Sequence, residues 1–331
     1  MLIILDHCQE PYFNLASEEF LLNVRHFDQP VVRIWQNSPA VIVGKFQNTL
    51  SEINQKFVKD NDIPVIRRIT GGGAVYHDLG NVNYTIVQPT GGKVIDFARF
   101  AGPLIRFLAG YGLTANHQGR NDIEINERKI SGGAQTISNG RVLHHGTLLF
   151  SARLDILAQA LNPKPHKLAV RGVPSIRARV ANIADFLSRP PSVADFMSDL
   201  AGYFLKQPAS AAYAFSPDEQ AAIKKLREEK YCRWEWNYGK SPDFNKEHSV
   251  RYPWGELSLF LLIENGILNN IRVYGDFFSC RDVNGLFSQL RGTPYNEAAL
   301  RTKSEELALT SALPEMTGEE LLRQLLGVSG S

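Results

Sequence analysis

The sequence predicts an α/β (α+β) fold, in which a large domain built on a largely antiparallel or mixed β-sheet is followed by a small α+β domain. Three observations favour it. Short segments with strand-like alternation follow one another in hairpin-like pairs. Segments with helical periodicity are scattered between them, without the regular β-α-β rhythm of a doubly wound fold. A polar stretch at residues 238–248 then precedes a last part of the chain that has its own hairpin and helical segments.

Composition limits the class of protein. The chain has 331 residues, enough for two domains, of which 44% are hydrophobic and 21% charged. Its formal net charge of +2 is too small for the concentrated basic face of a nucleic-acid-binding protein. The N-terminal segment soon turns polar and no apolar run reaches membrane length, so we expect neither a signal peptide nor a membrane span. Three cysteines without CxxC spacing argue against a disulfide framework and a zinc site, which favours the cytoplasm.

The first predicted elements are a helix and several strands. Apolar residues recur at helical spacing after Pro11, which predicts an amphipathic helix. Residues 31–35 and 40–44 are strand-like, with a turn between them. Residues 64–87 then predict three more strands, the first two separated by a glycine loop.

The central part predicts a helix and another hairpin. Residues 97–108 have helical periodicity. Residues 123–130 alternate cleanly, and a tight turn near residues 126–127 would place Lys129 at the start of the returning strand. Residues 141–150 predict a further strand.

The second half predicts a basic loop, a capped helix and the domain boundary. Residues 162–180 include three prolines and six basic residues, which indicates a long, positively charged loop. Residues 216–219 form a capping box that starts a helix running to about Lys230. We place the boundary in the polar stretch, giving domains 1–245 and 246–331, and an Asn-Gly turn predicts a hairpin in the second.

The most informative segment for chemistry is the glycine loop. Glycines 71–73 remove every Cβ from a loop between two strands, so backbone N–H groups can approach an anion closely. Arg67 and Arg68 add planar donors for phosphate or carboxylate. No Gly-Lys-Ser/Thr follows, as in a Walker A loop, and the next element is a strand, which argues against a dinucleotide-binding fingerprint. A glycine-rich hairpin with an exposed arginine pair is the alternative.

A lysine and a histidine pair are two further candidates. Lys129 is followed by small residues that leave room for a ligand, and its ammonium could neutralise charge that develops on a phosphoryl or acyl oxygen. An ordinary solvated lysine is the alternative. His144 and His145 lie on one predicted strand, so their rings should point to opposite faces and should not chelate a metal together. We expect no firm metal site formed by the protein alone.

In their order and spacing, the motifs RRITGGGAVYHDLGN, GRNDI with RKISGGA, and HHGTLLF resemble the lipoate–protein ligase A family. The resemblance continues through FNLASEEF (13–20), IVGKFQN (42–48), the basic loop and CRWEWNYG (232–239), and it covers roughly the whole chain. It implies the mixed-sheet catalytic fold of class II aminoacyl-tRNA synthetases and biotin ligases, with a small α+β accessory domain after about residue 245.

The resemblance also implies a set of site residues. Lys129 would be catalytic and would contact both ATP and lipoate, while the part of the basic loop from about Leu168 to Val180 would close over the adenylate. The other implied ATP-binding residues are Arg68, Gly73, Ala74, Val75 and Tyr76. The implied lipoate-binding residues are Lys129, Arg67, Thr70, His77, Asn81, His145 and Gly146, with Asp122 and Ala134 as further candidates.

The implied reaction has two steps and uses ATP with Mg²⁺. The lipoate carboxylate attacks the α-phosphate of ATP, which gives lipoyl-AMP and pyrophosphate. A lysine ε-amine of an acceptor protein then attacks the mixed anhydride, with Asp122 as the candidate for its base. The implied acceptors are lipoyl domains of 2-oxoacid dehydrogenase acyltransferase subunits and the glycine-cleavage H protein. We expect a cytoplasmic monomer that binds neither nucleic acid nor membranes.

Three alternatives stay open. An octanoyl or lipoyl amidotransferase of the same fold would pass the acyl group through a cysteine thioester, but no cysteine falls in the glycine-loop or Lys129 motifs. A biotin ligase would have a different glycine-loop pattern. A non-catalytic lipoate-binding or relay protein would keep the binding pocket without turnover, and the presence of Arg68 and Lys129 argues against it.

Overall fold

The computed structural model describes residues 1–91, 96–161, 180–238, 244–279 and 281–327. These residues form two compact units. The first unit consists of Met1–Val43, Thr49–Ile69 and Ala74–Tyr238. The second unit combines Gly44–Asn48 and Thr70–Gly73 with the described residues from 244 onward. Two short segments of the predicted first domain are therefore part of the second unit.

The first unit is built on an eight-stranded sheet. Its strands are β1 (Leu2–Leu5), β2 (Val31–Trp35), β6 (Asn81–Pro89), β7 (Asn116–Gln118), β8 (Asp122–Ile125), β9 (Arg128–Ser138), β10 (Arg141–Leu149) and β11 (Ala211–Ala212). Their order is β11-β1-β2-β6-β10-β9-β8-β7. Strand β1 runs parallel to β2 and β11, and the pairs from β2 to β7 are antiparallel. The predicted mixed sheet is confirmed.

A smaller sheet carries the residues on either side of the glycine loop. Its strands are β3 (Ala40–Val43), β4 (Val65–Arg67) and β5 (Val75–His77), in the order β4-β3-β5. Strand β4 is parallel to β3, and β5 is antiparallel to it. The strands predicted within residues 31–44 and 64–87 are therefore confirmed.

The helices of the first unit pack on the two faces of the large sheet and on the small sheet. They are α1 (Pro11–Glu19), α2 (Thr49–Glu52), α3 (Gln55–Asp60), α4 (Phe97–Ala109), α5 (Leu154–Ala160), α6 (Val193–Leu205), α7 (Pro217–Leu226) and α8 (Trp234–Asn237). Helix α7 begins at the predicted capping box, in which the Ser216 hydroxyl accepts from the Glu219 N–H and the Glu219 carboxylate accepts from the Ser216 N–H. A π-helical turn, Arg227–Tyr231, continues it to the predicted end. A similar turn, Phe20–Val24, extends α1.

Each face of the large sheet has its own apolar cluster. On one face, Phe100 and Leu104 of α4 and Phe196 of α6 pack with sheet residues that include Val82 and Tyr84. On the other face, Leu15 of α1 and Phe20 of the turn that extends it pack with Trp35, Val87 and Leu143. Because alternate residues of a strand point to opposite faces, one strand contributes to both clusters. This alternation decides which polar residues face α1.

The second unit contains a three-stranded sheet and three helices. Its elements are β12 (Lys246–Tyr252), β13 (Gly255–Glu264), β14 (Ile267–Gly275), α9 (Val283–Phe287), α10 (Glu297–Glu306) and α11 (Gly318–Leu326). The predicted Asn-Gly turn joins β13 and β14, and both of its residues have positive φ. Phe46 belongs to this unit's core and stacks on Phe277 with ring centroids 4.7 Å apart. Across the described segments of both units, no helix is long and apolar enough to cross a membrane.

Candidate active site

Lys129 lies at the start of β9, directly after a two-residue turn. Asn126 and Glu127 have φ of 50° and 62°, which is the backbone of the twisted hairpin turn that joins strands most compactly. The predicted turn and the position of Lys129 are confirmed. The Lys129 Nζ atom lies 2.7 Å from Oδ1 of Asp122 on β8, and the lysine side chain is 31% exposed. The ammonium is therefore held in place and still reaches solvent.

The small residues after Lys129 have a specific use. A Cβ atom at Gly132 would lie 2.9 Å from Lys129 Nζ, closer than such atoms approach in proteins. We expected this room to serve a ligand. In the structure it accommodates the folded-back side chain of Lys129 itself.

The end of the predicted basic loop lies next to Lys129. Residues 162–179 are outside the described residues, so the loop prediction is not tested there. Val180 and Ala181 are described, and the Ala181 N–H donates to the Lys129 carbonyl over 2.9 Å. The Arg128 guanidinium donates to the Val180 carbonyl over 2.8 Å. The chain that leaves the basic segment is thus anchored to the strand that carries Lys129.

Strand register brings further candidates onto the sheet face that packs on α1. His145 of β10 pairs with Thr85 of β6 and with Ala134 of β9. Directly paired residues point to the same face of a sheet. His145 and Ala134, predicted from different motifs, therefore lie side by side.

A buried hydrogen-bond chain fixes His145. Its Nδ1 lies 2.8 and 2.9 Å from the two carboxylate oxygens of Glu18 on α1, which is 1% exposed. The Thr85 hydroxyl donates to Glu18 over 2.6 Å, and the Trp35 indole N–H donates to Thr85 over 2.8 Å. Because a carboxylate only accepts, Nδ1 of His145 carries a proton.

His77 is buried and neutral. The Asn37 amide lies 3.1 Å from its Nδ1, and its ring meets the Trp35 ring edge-on. Burial, reinforced by neighbouring His145 and Arg68, lowers the pKa of His77 to about 3. At neutral pH its imidazole can therefore offer a hydrogen bond or an apolar face to a ligand, but no charge.

His144 lies on the opposite face, as predicted for adjacent strand residues. Its ring stacks on Phe100 with centroids 4.7 Å apart, and its nitrogens lie 3.1 Å from the Tyr84 hydroxyl and 2.9 Å from the Gln135 amide. A Cβ atom at Gly146 would collide with the Tyr84 ring on this same face. The missing side chain of Gly146 thus makes room for core packing, and only its backbone is left to line a ligand site.

Arg67 and Arg68 have different surroundings. The Arg67 side chain donates to the Trp236 carbonyl over 2.9 Å and to the Thr49 hydroxyl over 2.6 Å. Arg68 is 5% exposed, and its guanidinium donates to the Ile42 carbonyl over 3.3 Å. Burial lowers the pKa of Arg68 to about 10, against the opposing effect of a nearby carboxylate, so it stays charged at neutral pH. The exposed arginine pair of the alternative reading is wrong, since both side chains are buried.

The first two glycines of the loop allow close packing against neighbouring backbone. In the second unit, a Cβ atom at Gly71 would collide with the Phe277 carbonyl oxygen, and the Gly72 N–H donates to that oxygen over 3.1 Å. Gly72 also has a φ of +90°. A Cβ atom at Gly73 would meet no atom of the described residues within 4 Å. Of the three glycines, Gly73 is therefore the one beside which the described residues leave space for a side chain. Thr70, another candidate, is fully buried in this unit.

The residues that follow the glycine loop, Ala74, Val75 and Tyr76, differ in how deeply they are buried. Tyr76 is 4% exposed and packs with Val41 and Val58, and burial raises its pKa to about 12. Its side chain is thus part of the core, so the predicted ATP contact of this residue would have to come from its backbone. Ala74 and Val75 are partly buried beside neighbouring clusters.

Two asparagines on β6 have unpaired polar atoms. The Asn81 amide donates to Asn83 Oδ1 over 2.9 Å, and both residues are nearly inaccessible. Asn81 Oδ1 and Asn83 Nδ2 find no hydrogen-bond partner in the described part of the chain. Since a buried polar atom without a partner is costly, these two atoms are suited to a polar group of a ligand.

A cleft of about 600 Å³ opens beside the strand that carries Lys129. It is lined by Arg128, Ala152, Arg153, Leu154, Asp155 and Asn182. In the segments that the structure describes, no group of three or more His, Cys, Asp or Glu side chains could hold a metal ion.

The described cysteines are poor nucleophiles. Burial raises the pKa of both Cys8 and Cys232 above the usual range. A raised pKa reduces the thiolate fraction, which is the reactive form. Cys280 lies outside the described residues.

Comparison with known proteins identifies the family to which the chain belongs. Residues 10–205 match the family described as the lipoyl protein ligase A/B catalytic domain, and residues 241–325 match the bacterial lipoate protein ligase C-terminus. The chain belongs to the lipoate–protein ligase family. The second match extends the family likeness to the C-terminal part of the chain.

Individual members of the ligase family cover nearly the whole chain. Lipoate-protein ligase LplJ of Bacillus subtilis is 39% identical over 95% of this chain and 96% of its own. The crystal structure of P. falciparum LipL1 in complex with lipoate superposes with a TM-score of 0.80 at 26% identity, covering 98% of this chain and 99% of that one. A lipoate-protein ligase A structure bound with ATP gives 0.61 at 28% identity over 72% and 98%. The predicted ligase fold is confirmed.

Some residues of this ligase site were not predicted. Glu18, Trp35, Thr85 and Asn83 complete the buried polar face but were not among the candidates. A signal existed for two of them. Glu18 is a charged residue at an otherwise buried helix position, and Asn83 follows Asn81 at the two-residue spacing of one strand face.

Proposed function

We propose that the protein is an ATP-dependent lipoate–protein ligase that forms lipoyl-AMP and pyrophosphate, then transfers the lipoyl group to a protein lysine. The observation that carries the proposal is the placement of Lys129. Its ammonium is fixed by Asp122. The strand that carries Lys129 lies beside the strand that carries His145, whose ring is bonded to the buried Glu18 carboxylate of α1. Family membership supplies the chemistry that this arrangement supports.

The first step needs charge stabilisation more than covalent catalysis. As the lipoate carboxylate attacks the α-phosphate, negative charge shifts toward the departing pyrophosphate. Lys129 and the buried cation Arg68 are the proposed contacts for phosphate oxygens, and the backbone at Gly73–Tyr76 is proposed to bind ATP as well. Binding of ATP would draw Lys129 away from Asp122.

The lipoyl group needs a slot that is apolar along its length. We propose that it lies on the sheet face that packs on α1, bordered by His77, Asn81, Ala134 and His145. The neutral His77 ring suits an uncharged acyl chain, since no charge has to be buried beside it. Arg67, Thr70 and Gly146 were predicted to line this slot. The contacts of the Arg67 side chain and the orientation of Gly146 favour supporting roles for these two.

Mg²⁺ is expected to arrive with ATP. At nucleotide sites this ion usually keeps several waters and takes one or two carboxylates besides phosphate oxygens. Asp122 fits such a ligand, because its carboxylate lies beside the proposed phosphate-binding lysine. The ion would neutralise phosphate charge during the first step.

The second step transfers the acyl group to a lysine amine. We propose lipoyl domains of 2-oxoacid dehydrogenase acyltransferase subunits and the glycine-cleavage H protein as acceptors, with the protein acting as a cytoplasmic monomer. The mixed anhydride is reactive by itself, so orientation and exclusion of water are the main requirements. Asp122 is also the candidate base for the incoming amine.

The decisive experiment mixes purified protein with ATP, Mg²⁺, lipoate and an apo lipoyl domain. Mass spectrometry should show the acceptor heavier by one lipoyl group only when ATP is present. Replacing the three cysteines with serine should leave this reaction nearly intact, since no thiol takes part. A hydroxylamine-sensitive acyl adduct on a cysteine, or transfer without ATP, would instead establish an amidotransferase.

A further inference from the structure

Strand β4 ends against a short segment from the far end of the first unit. This segment, residues 230–237, includes α8, and we call it the clamp. Within the small sheet, β4 pairs with β3 alone, so its other edge could offer peptide groups to solvent. The Arg67 N–H on that edge donates to the Asn237 side-chain oxygen over 2.9 Å. The Trp236 indole N–H donates to the Arg67 carbonyl over 2.8 Å. Two side chains thus take the place of a neighbouring strand.

The Arg67 side chain makes a second set of bonds to the same segment. Its guanidinium donates to the backbone carbonyls of Trp236 and Asn237, over 2.9 and 3.2 Å. It also donates to the Thr49 hydroxyl, which in turn donates to the Asn237 carbonyl over 2.6 Å. Both the backbone and the side chain of Arg67 are therefore tied to two consecutive clamp residues.

The clamp itself is held rigidly. The Asn237 amide donates to the carbonyls of Tyr231 and Arg233, over 2.7 and 3.1 Å. The Tyr231 hydroxyl donates to Glu19 of α1 over 2.7 Å. The Lys230 ammonium lies 3.9 Å from the centre of the Trp236 ring. Because these contacts fix the clamp to α1, it can act as a reference for β4.

One peptide plane transmits this restraint to Arg68. The carbonyl of Arg67 and the N–H of Arg68 belong to the same planar unit. The carbonyl accepts from Trp236, while the N–H donates to the Val43 carbonyl over 3.0 Å on the opposite side. The peptide plane directly before the Cα atom of Arg68, which helps to set the direction of its side chain, is therefore held by hydrogen bonds at both edges.

We propose that Trp236 and Asn237 are positioning residues for the ATP-dependent step, because they fix the peptide plane from which the Arg68 cation reaches the nucleotide. The inference rests on the proposed function, in which Arg68 binds ATP. It gives the CRWEWNYG motif a role in nucleotide binding, although neither residue is proposed to touch the substrate.

The test removes one hydrogen bond and keeps an aromatic ring. Trp236→Phe deletes the indole N–H that holds the Arg67 carbonyl and retains a ring between Lys230 and Tyr231. The matched control is Trp234→Phe, two residues earlier in α8, where the side chain is 51% exposed. With lipoate saturating, we expect Trp236→Phe to raise the KM for ATP roughly three- to tenfold, the effect of one net hydrogen bond. The KM for lipoate and the melting temperature should match those of the control.

The possible outcomes test the positioning role and the proposed function separately. An ATP KM equal to that of Trp234→Phe would overturn the positioning role. So would a fall in melting temperature and maximal rate with the ATP KM unchanged, because that pattern indicates a purely structural contact. If wild type and the control both fail to form lipoyl-AMP, the proposed function fails, whatever the clamp does.

Discussion

The ion pair between Lys129 and Asp122 predicts a sharp loss of activity when the lysine is removed. Lys129→Ala deletes the cation that is proposed to contact the phosphate oxygens. We expect adenylate formation to fall by at least about a hundredfold, or about 2.7 kcal/mol of transition-state stabilisation. Pyrophosphate release measures this rate. The control is Lys56→Ala, which removes an exposed lysine that also pairs with an aspartate. A rate near wild type for Lys129→Ala would remove this residue from the catalytic set.

Two buried histidines predict acid-sensitive stability. Burial lowers the pKa of His77 to about 3 and that of His144 well below its usual value. Below about pH 6.5 the unfolded chain therefore binds protons that the folded chain does not. The free energy of unfolding should fall as pH drops from 6.5, by up to about 1.4 kcal/mol per pH unit for each histidine.

Denaturant unfolding at pH 7.5 and 5.5 checks this dependence. His144→Gln removes one of the two groups and should reduce the slope, whatever its cost at neutral pH. Exposed His26→Gln is the control and should keep the wild-type slope. An unchanged slope in His144→Gln would show that this histidine does not carry the acid sensitivity.

The arginine pair shows why residue roles were only partly predictable. In the sequence, Arg67 and Arg68 are equivalent donors beside a glycine loop. In the structure, Arg67 bonds to residues about 170 positions away, and Arg68 is enclosed near Glu18. Contacts with residues that are distant in the sequence determine which role each arginine has. The local sequence pattern contains no information about these contacts. The alternating faces of His144 and His145, by contrast, follow from strand geometry alone.

The glycine loop predicts opposite effects for two of its glycines. Gly73→Val meets open space, so the fold should persist while the added side chain blocks nucleotide approach. Isothermal titration should show ATP affinity reduced by about tenfold or more, since each tenfold corresponds to about 1.4 kcal/mol. Gly202→Val, at another open position, should bind ATP normally. Unaltered affinity in Gly73→Val would make the loop a structural hairpin.

Gly71→Ala should act through stability instead. Its new Cβ would meet the Phe277 carbonyl oxygen, which is backbone and cannot turn away. We expect a lower melting temperature, measured by differential scanning fluorimetry. A melting temperature equal to wild type would show that the loop can shift at little cost.

Elements defined by local signals were the ones correctly predicted. The hairpin turns at residues 126–127 and 265–266 both begin with an asparagine at positive φ, and the Ser216 capping box marks its helix start. Strands β1 and β11 were not predicted. They are short and pair in parallel across the chain, with Leu2 opposite Ala211, so their stability comes from remote partners.

At the scale of the molecule, separate cores predict that the first unit folds alone. A chain ending near residue 245 keeps all apolar clusters of that unit and loses the cluster that contains Phe46. We expect cooperative melting by circular dichroism, with adenylation impaired and transfer from supplied lipoyl-AMP retained.

Phe46 supplies the control for this truncation. In the shortened chain its ring loses Phe277 and should promote self-association, which Phe46→Ser should suppress in size-exclusion chromatography. Broad, non-cooperative melting of both shortened chains would show that the two units depend on one another for folding.

The covered edge of β4 also affects how the protein behaves at high concentration. An uncovered edge strand has unpaired N–H and C=O groups that can pair with a strand of another molecule. Such pairing is a common cause of aggregation. At Arg67 both groups are already bonded to Asn237 and Trp236. The same two side chains should therefore slow aggregation during storage, and their loss would be seen as turbidity before it is seen as unfolding.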